Sequence, residues 1–131
     1  MSNVEFSYLY RDGGNYKQFG RVVFLNPEQS TCGAIEKALM GAFLEDGLFI
    51  ADQVRVPEAF LFANGELSSD DHCYHEFHAV RTTEKEPTDP HLRTIREFLS
   101  EVVQQGRRRW RVFDPYDSKG SYGDLLASRE A

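Results

Sequence analysis

Between Asp89-Pro90 and Gly106 the apolar residues Leu92, Ile95, Phe98, Leu99, Val102 and Val103 recur at three- and four-residue spacing. A stripe of that period is one face of an amphipathic helix, and such a face has to be buried against a second layer. Asp89 as N-cap with Pro90 in the first helical position predicts the start, and Gly106 the stop. The Arg107-Arg108-Arg109 run just beyond suits the negative end of the helix dipole.

The second layer is read from alternation. Val4 to Tyr10 places Phe6, Tyr8 and Tyr10 on one parity, and Phe19 to Leu25 is rich in β-branched and aromatic side chains, so both segments read as strands. Arg11 to Lys17 between them is rich in residues that tolerate positive φ, which makes an antiparallel hairpin the economical topology. Asn26-Pro27 ends the second strand. A first helix is predicted from Thr31 to Glu45, with Ser30 as its N-cap, Ile35, Leu39 and Phe43 on its buried face and Gly47 as its terminator. Leu48 to Val56, closed by Pro57, reads as a third strand. Phe60-Leu61-Phe62 reads as a short edge strand, and residues 63–66 as a turn.

A further strand is expected from Cys73 to Thr83, over a helical reading that would put His72, His75 and His78 on one broad face but gives a poor apolar stripe, and a last strand is expected from Trp110 to Phe113. The expectation is therefore an α+β fold: two layers, a mainly antiparallel sheet of four or five strands packed by two helices, in the order ββαββα with an optional last strand. Residues 1–117 form one domain in this reading, and residues 118–131 a flexible tail.

With 131 residues, 40% of them hydrophobic, the chain can bury a core without a disulfide or a structural metal. Cys32 and Cys73 lie far apart in no metal-type spacing and read as two free thiols. The opening Met-Ser-Asn-Val-Glu-Phe has neither a basic region nor an apolar run, and no stretch is apolar enough to span a bilayer, so a cytoplasmic, unanchored chain is expected. A net charge of −6 argues against general nucleic-acid binding. The basic residues are unevenly spread: Arg93, Arg96, Arg107, Arg108, Arg109 and Arg111 fall close together, which keeps a local anionic partner in play.

Three of the four histidines sit in Asp70-Asp71-His72-Cys73-Tyr74-His75-Glu76-Phe77-His78. Imidazoles and carboxylates are ligands that zinc or iron accepts, and Glu76 could deprotonate a bound water, so a metal-dependent hydrolase built on His72, His75, His78 and Glu76 is one candidate. Strand parity weighs against it. In an extended chain His75 points with Cys73, Phe77, Ala79 and Arg81, whereas His78 points with Tyr74, Glu76 and Val80. The plainer alternative is that these histidines are boundary residues of a half-buried strand, bonded to nearby carboxylates or backbone. Any function for His75 or His78 then needs partners from elsewhere, and the first hairpin is the natural source.

That hairpin brings Arg11, Asn15 and Lys17 together with Gly-Gly amides that can cradle an anion, although a plain turn explains the same residues. Arg109, Trp110 and Arg111 combine guanidinium forks with an indole face, as a phosphate or a base would require, against the alternative of a solvated helix end. The aromatic content, including Tyr16, Phe60, Phe62 and Tyr74, also allows a homodimer face. No catalytic constellation is complete. The functional expectation is a non-enzymatic binding or regulatory protein that engages a protein partner or a small anionic ligand such as a nucleotide, with Arg11, Asn15, Lys17, His75, Glu76, Arg109, Trp110 and Arg111 as its binding residues and no cofactor. The combination of Tyr10-Arg11-Asp12-Gly13-Gly14-Asn15-Tyr16-Lys17 with Asp71-His72-Cys73-Tyr74-His75-Glu76-Phe77 resembles small uncharacterised bacterial or phage proteins. That resemblance implies no activity and assigns no site residue.

Overall fold

The computed structural model describes residues 2–60 and 71–114. Strand β1 (Asn3–Arg11) pairs with β2 (Lys17–Phe24) as the expected antiparallel hairpin, and on its other side with β4 (His75–Thr83). A two-residue strand, β3 (Leu48–Phe49), completes a four-stranded sheet in the order β2-β1-β4-β3, antiparallel throughout. With helices α1 (Cys32–Ala42) and α2 (Ile95–Arg108) the order is ββαββα, so the α+β expectation holds.

Alternation decides the core. Val4, Phe6 and Tyr8 from β1, with Val22 and Phe24 from β2, are buried with Ile35 and Leu39 of α1 and Phe98 and Val102 of α2. Phe24 stacks on Phe98 with ring centroids 4.6 Å apart, and Phe6 lies 5.1 Å from the same ring. Both helices therefore close the face of the sheet that carries the even-numbered residues of β1. Tyr8 lies over Gly20, where an added Cβ would come within 2.7 Å of the ring, and donates its hydroxyl to the Pro57 carbonyl. The glycine makes room for the tyrosine.

Strand β4 departs from simple alternation. Phe6 faces Val80 and Tyr8 faces Phe77, so one β1 residue, Ser7, spans two on β4, His78 and Ala79. This β-bulge switches parity: His75, Phe77 and Val80 share the core side, and Ala79 and Arg81 do not point with His75 as strict alternation predicted.

Three boundaries also differ from expectation. Helix α1 starts one residue late, with Thr31 rather than Ser30 accepting from the Ala34 N–H, and ends at Ala42; Gly47, at φ 73°, closes a separate 3-10 turn, Glu45–Gly47. The apolar run after Leu48 leaves the sheet after two residues and turns into a 3-10 helix, Ala51–Val54, because Ile50, Ala51 and Val54 are buried at helical rather than alternating spacing. Helix α2 begins at Thr94, which forms a capping box with Glu97, and it runs through Gly106. Gly106 packs so closely on α1 that a Cβ would come within 2.8 Å of the Ala42 carbonyl. Residues 110–113 form no strand; Trp110 instead buries its ring beside Phe43 and Phe49 and donates its indole N–H to the Ala42 carbonyl at 3.0 Å. Of the proposed edge strand at 60–62 only Phe60 is described, and it is buried; the turn at 63–66 and the tail at 118–131 lie outside the described residues. No helix among the described residues is long and apolar enough to cross a membrane.

Candidate functional site

Asp89 and Pro90 make a turn instead of starting a helix. The Leu92 N–H closes on the Asp89 carbonyl at 3.1 Å, and Leu92 takes φ 55°, a left-handed conformation that swings Arg93 back over Asp89. Both charged groups are buried, at 3% and 4% exposure. The Arg93 guanidinium donates to Asp89 Oδ2 and Oδ1 at 2.8 and 3.0 Å, to the Val54 and Arg55 carbonyls at 2.8 and 2.9 Å, and to Glu101 Oε2 at 3.0 Å. Its central carbon lies 5.5 and 5.2 Å from the centroids of the stacked Phe24 and Phe98 rings. Burial pushes the Asp89 carboxyl up, but hydrogen bonds from Arg93 and its charge outweigh that and hold it below its usual value. One side chain thus ties the 3-10 turn Ala51–Val54 to α2. Arg55, which ends that turn at φ 58°, reaches Glu101 as well.

The two elements that Arg93 joins are the walls of a cleft of about 570 Å³. On one side stand Asp52, Gln53, Arg55 and Glu58; on the other are Pro90, His91, Gln105, Arg108 and Arg111. Gln53 clamps the chain after α2 by a reciprocal pair, its amide donating to the Arg111 carbonyl at 2.7 Å and its oxygen accepting from the Arg111 N–H at 2.9 Å. Gln105 donates to the Arg109 carbonyl at 3.0 Å, and Arg109, at φ 73°, turns the chain there. Arg111 is therefore held at the cleft through its backbone, and Arg108 by its place at the end of α2. Among the described residues neither guanidinium has an ion-pair partner.

The residues singled out from sequence scatter across three places. Arg111 lines the cleft, whereas Arg109 is exposed at the end of α2 and does not line it. Trp110 is buried, so its indole is a core group and not a stacking surface. At the hairpin, Arg11 is paired with Glu76 through Nε and Nη2 at 3.0 and 3.3 Å, and its remaining nitrogen donates to Asn15 Oδ1 at 2.5 Å. That network consumes the cation and the carboxylate expected to contact a ligand and leaves Lys17 exposed beside it.

Next to this pair, on the core side, His72 and His75 are engaged differently. The Tyr10 hydroxyl donates to Asp71 at 2.7 Å and accepts from the His72 N–H at 3.0 Å. His72 Nδ1 accepts from the Tyr74 N–H, which puts its proton on Nε2, 2.7 Å from the Arg11 carbonyl. His75 Nε2 accepts from the Ala59 N–H at 2.9 Å, inside a cage of Tyr8, Tyr10, Phe49 and Phe60 rings. Burial, with help from His72, lowers its pKa to about 3, so it is a neutral packing residue with its proton on a buried Nδ1 that has no partner. His78 lies across the sheet from both, edge-on to Phe19 at 5.1 Å. The three histidines do not converge, and among the described residues no group of three or more His, Cys, Asp and Glu is arranged to hold a metal ion. Of the three, His72 bonds the hairpin through the Tyr10 hydroxyl and the Arg11 carbonyl and His78 meets Phe19 of β2, whereas the hydrogen bond of His75 comes from Ala59.

Arg93 and Asp89, which organise the cleft, were missed in the sequence. Their i, i+4 spacing is plain in the sequence, but Asp89-Pro90 also fits a helix cap, and the signal for the pair is the charged Arg93 inside an otherwise apolar face. No family model, no curated protein and no solved structure matches the chain.

Proposed function

We propose that this protein is a small binding module that takes an anionic ligand of nucleotide size in the cleft beside Arg108 and Arg111. The observation that carries the proposal is the pair of guanidinium groups without ion-pair partners at a cleft whose walls are pinned together from behind by Arg93. A volume of about 570 Å³ falls within the range of roughly 300–1,000 Å³ common to small-molecule sites. Guanidinium forks bind phosphate and carboxylate oxygens in bidentate fashion, and hydrogen bonds to charged groups contribute about 1.5–3 kcal/mol each. Asp52 and Glu58 on the facing wall add negative charge that disfavours a bare polyanion.

Binding is favoured over turnover because, among the described residues lining the cleft, none is placed as a nucleophile beside a base. Isothermal titration of the wild type and of Arg108→Ala/Arg111→Ala with AMP, ADP and inorganic phosphate tests the proposal. Saturable binding of a nucleotide that weakens at least tenfold in the double variant, with unchanged urea stability, is the expected result. A nucleotide that binds both proteins equally, or neither, rules the cleft out as its site.

A further inference from the structure

The face of the sheet away from the helices carries a second, separate basin. Glu5, Ser7, Leu9 and Arg11 of β1 project there, between Lys17, Phe19, Arg21 and Val23 of β2 and Glu76, His78 and Arg81 of β4. The segment after β4 crosses one end of this face: Lys85 reaches Glu5 at 2.9 Å, Asn3 holds the Lys85 carbonyl at 2.8 Å, and Thr88 pairs with the edge of β2 at Val23. At the other end Arg11 and Glu76 neutralise each other. What stays open between these ends is a depression of about 270 Å³ with Ser7 on its floor, Arg21 and Arg81 on its sides and the Phe19–His78 pair at its end.

The charge here is unlike that of the whole chain. In a protein of net charge −6, the basin presents two arginines that have no ion-pair partner among the described residues, and its one carboxylate, Glu5, is already satisfied by Lys85. Arg21 stands opposite Ser7 and Arg81 opposite Glu5, on strands to either side of β1. With strands about 4.8 Å apart and two residues of offset, their Cα atoms lie about 12 Å apart, a span that two arginine side chains close from both sides around one tetrahedral anion. The bulge at His78 and Ala79 turns the His78 ring toward the same basin, where it lies edge-on to Phe19. Phe19 is 49% exposed and offers an apolar face beside the charges.

We propose that this basin is a second anion site, for the phosphate of a phosphomonoester, held between Arg21 and Arg81 over Ser7, with the ester carbon against Phe19. Its volume of about 270 Å³ matches a phosphate and the first part of its carrier, against about 570 Å³ for the cleft near α2.

An NMR titration of the full chain tests it, using inorganic phosphate and phenyl phosphate as probes. Saturating shifts at the amides of Ser7, Phe19, Arg21 and Arg81 are expected, with affinity at least tenfold weaker in Arg21→Ala/Arg81→Ala and unchanged in Arg108→Ala/Arg111→Ala. A tenfold preference for phenyl phosphate assigns the carrier to Phe19; equal binding of both probes makes free phosphate the ligand of the same oxyanion site. Arg21→Gln and Arg81→Gln singly, each leaving the exposed position polar, keep the test open if the double variant does not fold. Absence of saturable shifts in the basin, or binding that survives loss of both arginines, overturns the proposal.

Discussion

Replacing Arg93 by methionine tests whether this side chain pins the 3-10 turn Ala51–Val54 to α2. Methionine keeps an apolar side chain beside the stacked Phe24 and Phe98 rings but removes the two bonds to Asp89, the two to the Val54 and Arg55 carbonyls and the one to Glu101. Asp89, 3% exposed, is left with backbone donors alone. Breaking a buried ion pair from one side costs about 3–5 kcal/mol, because the surviving charge has lost its partner without regaining water. Two carbonyls left without a donor add to that, while protonation of Asp89 limits it, so about 4 kcal/mol is expected. That is a large share of the roughly 5–15 kcal/mol that holds a domain together.

The assay is urea denaturation at pH 7, where a slope of roughly 1–3 kcal/mol/M turns such a loss into a midpoint lower by about 2 M. Asp89→Leu/Arg93→Met removes the stranded carboxylate but not the orphaned carbonyls, so it should lose only about half as much as Arg93→Met alone. A loss below about 1 kcal/mol in Arg93→Met, or a double variant worse than the single, would refute the pairing as the pin between the 3-10 turn and α2.

Acid should act through two groups in sequence. His75, lowered to about 3 from 6.5, refuses a proton that the unfolded chain accepts, so its contribution to stability is intact above pH 6.5 and is lost as pH falls toward 3, by up to about 1.4 kcal/mol per pH unit; His75→Phe should flatten that part of a urea stability profile, and a wild type already flat from pH 6.5 to 4.5 would contradict it. Asp89, held below its usual value by Arg93, loses its contribution only at lower pH, below about its unfolded value, and Asp89→Asn should remove that second fall. Gly20→Ala should cost about 1–3 kcal/mol by driving a methyl into the Tyr8 ring, and a neutral result by thermal melting would mean the ring is free to move. Thr94→Ala should cost about 0.5–2 kcal/mol through the lost capping box, read by the same melt, whereas Ser30→Ala should cost little because Thr31 caps α1.

What was legible in the sequence follows the strength of each periodic signal. The hairpin, both helices and the ββαββα order were readable because Phe6, Tyr8 and Tyr10 alternate and Ile95, Phe98 and Val102 repeat at helical spacing over several turns. Leu48 to Val56 misled because a continuous apolar run fits a buried strand and a buried 3-10 turn equally, and only the tertiary position of Ile50, Ala51 and Val54 decides. The α2 start misled because Asp89-Pro90 is both a cap signal and a turn signal; the long-range bonds of Arg93 to Val54 and Arg55 select the turn, and they leave Leu92 exposed although it falls on the apolar stripe. The bulge at His78 and Ala79 leaves no local mark, so parity alone could not place Arg81 with Arg21. At the candidate sites Arg111, singled out by its charge, lines the cleft, whereas Arg11, Glu76 and His75 read as available only because their partners, far away in sequence, are not visible there.

The most direct measurement is a ¹H–¹⁵N NMR titration of the wild type with AMP, following the backbone amides and the arginine side chains. Ligand held by Arg108 and Arg111 should shift Gln53, Arg55, His91, Gln105, Arg108 and Arg111 together on one saturable curve, while Arg11 and Asn15 at the hairpin stay still. Shifts confined to the hairpin, or none that saturate, would contradict a cleft built for an anion.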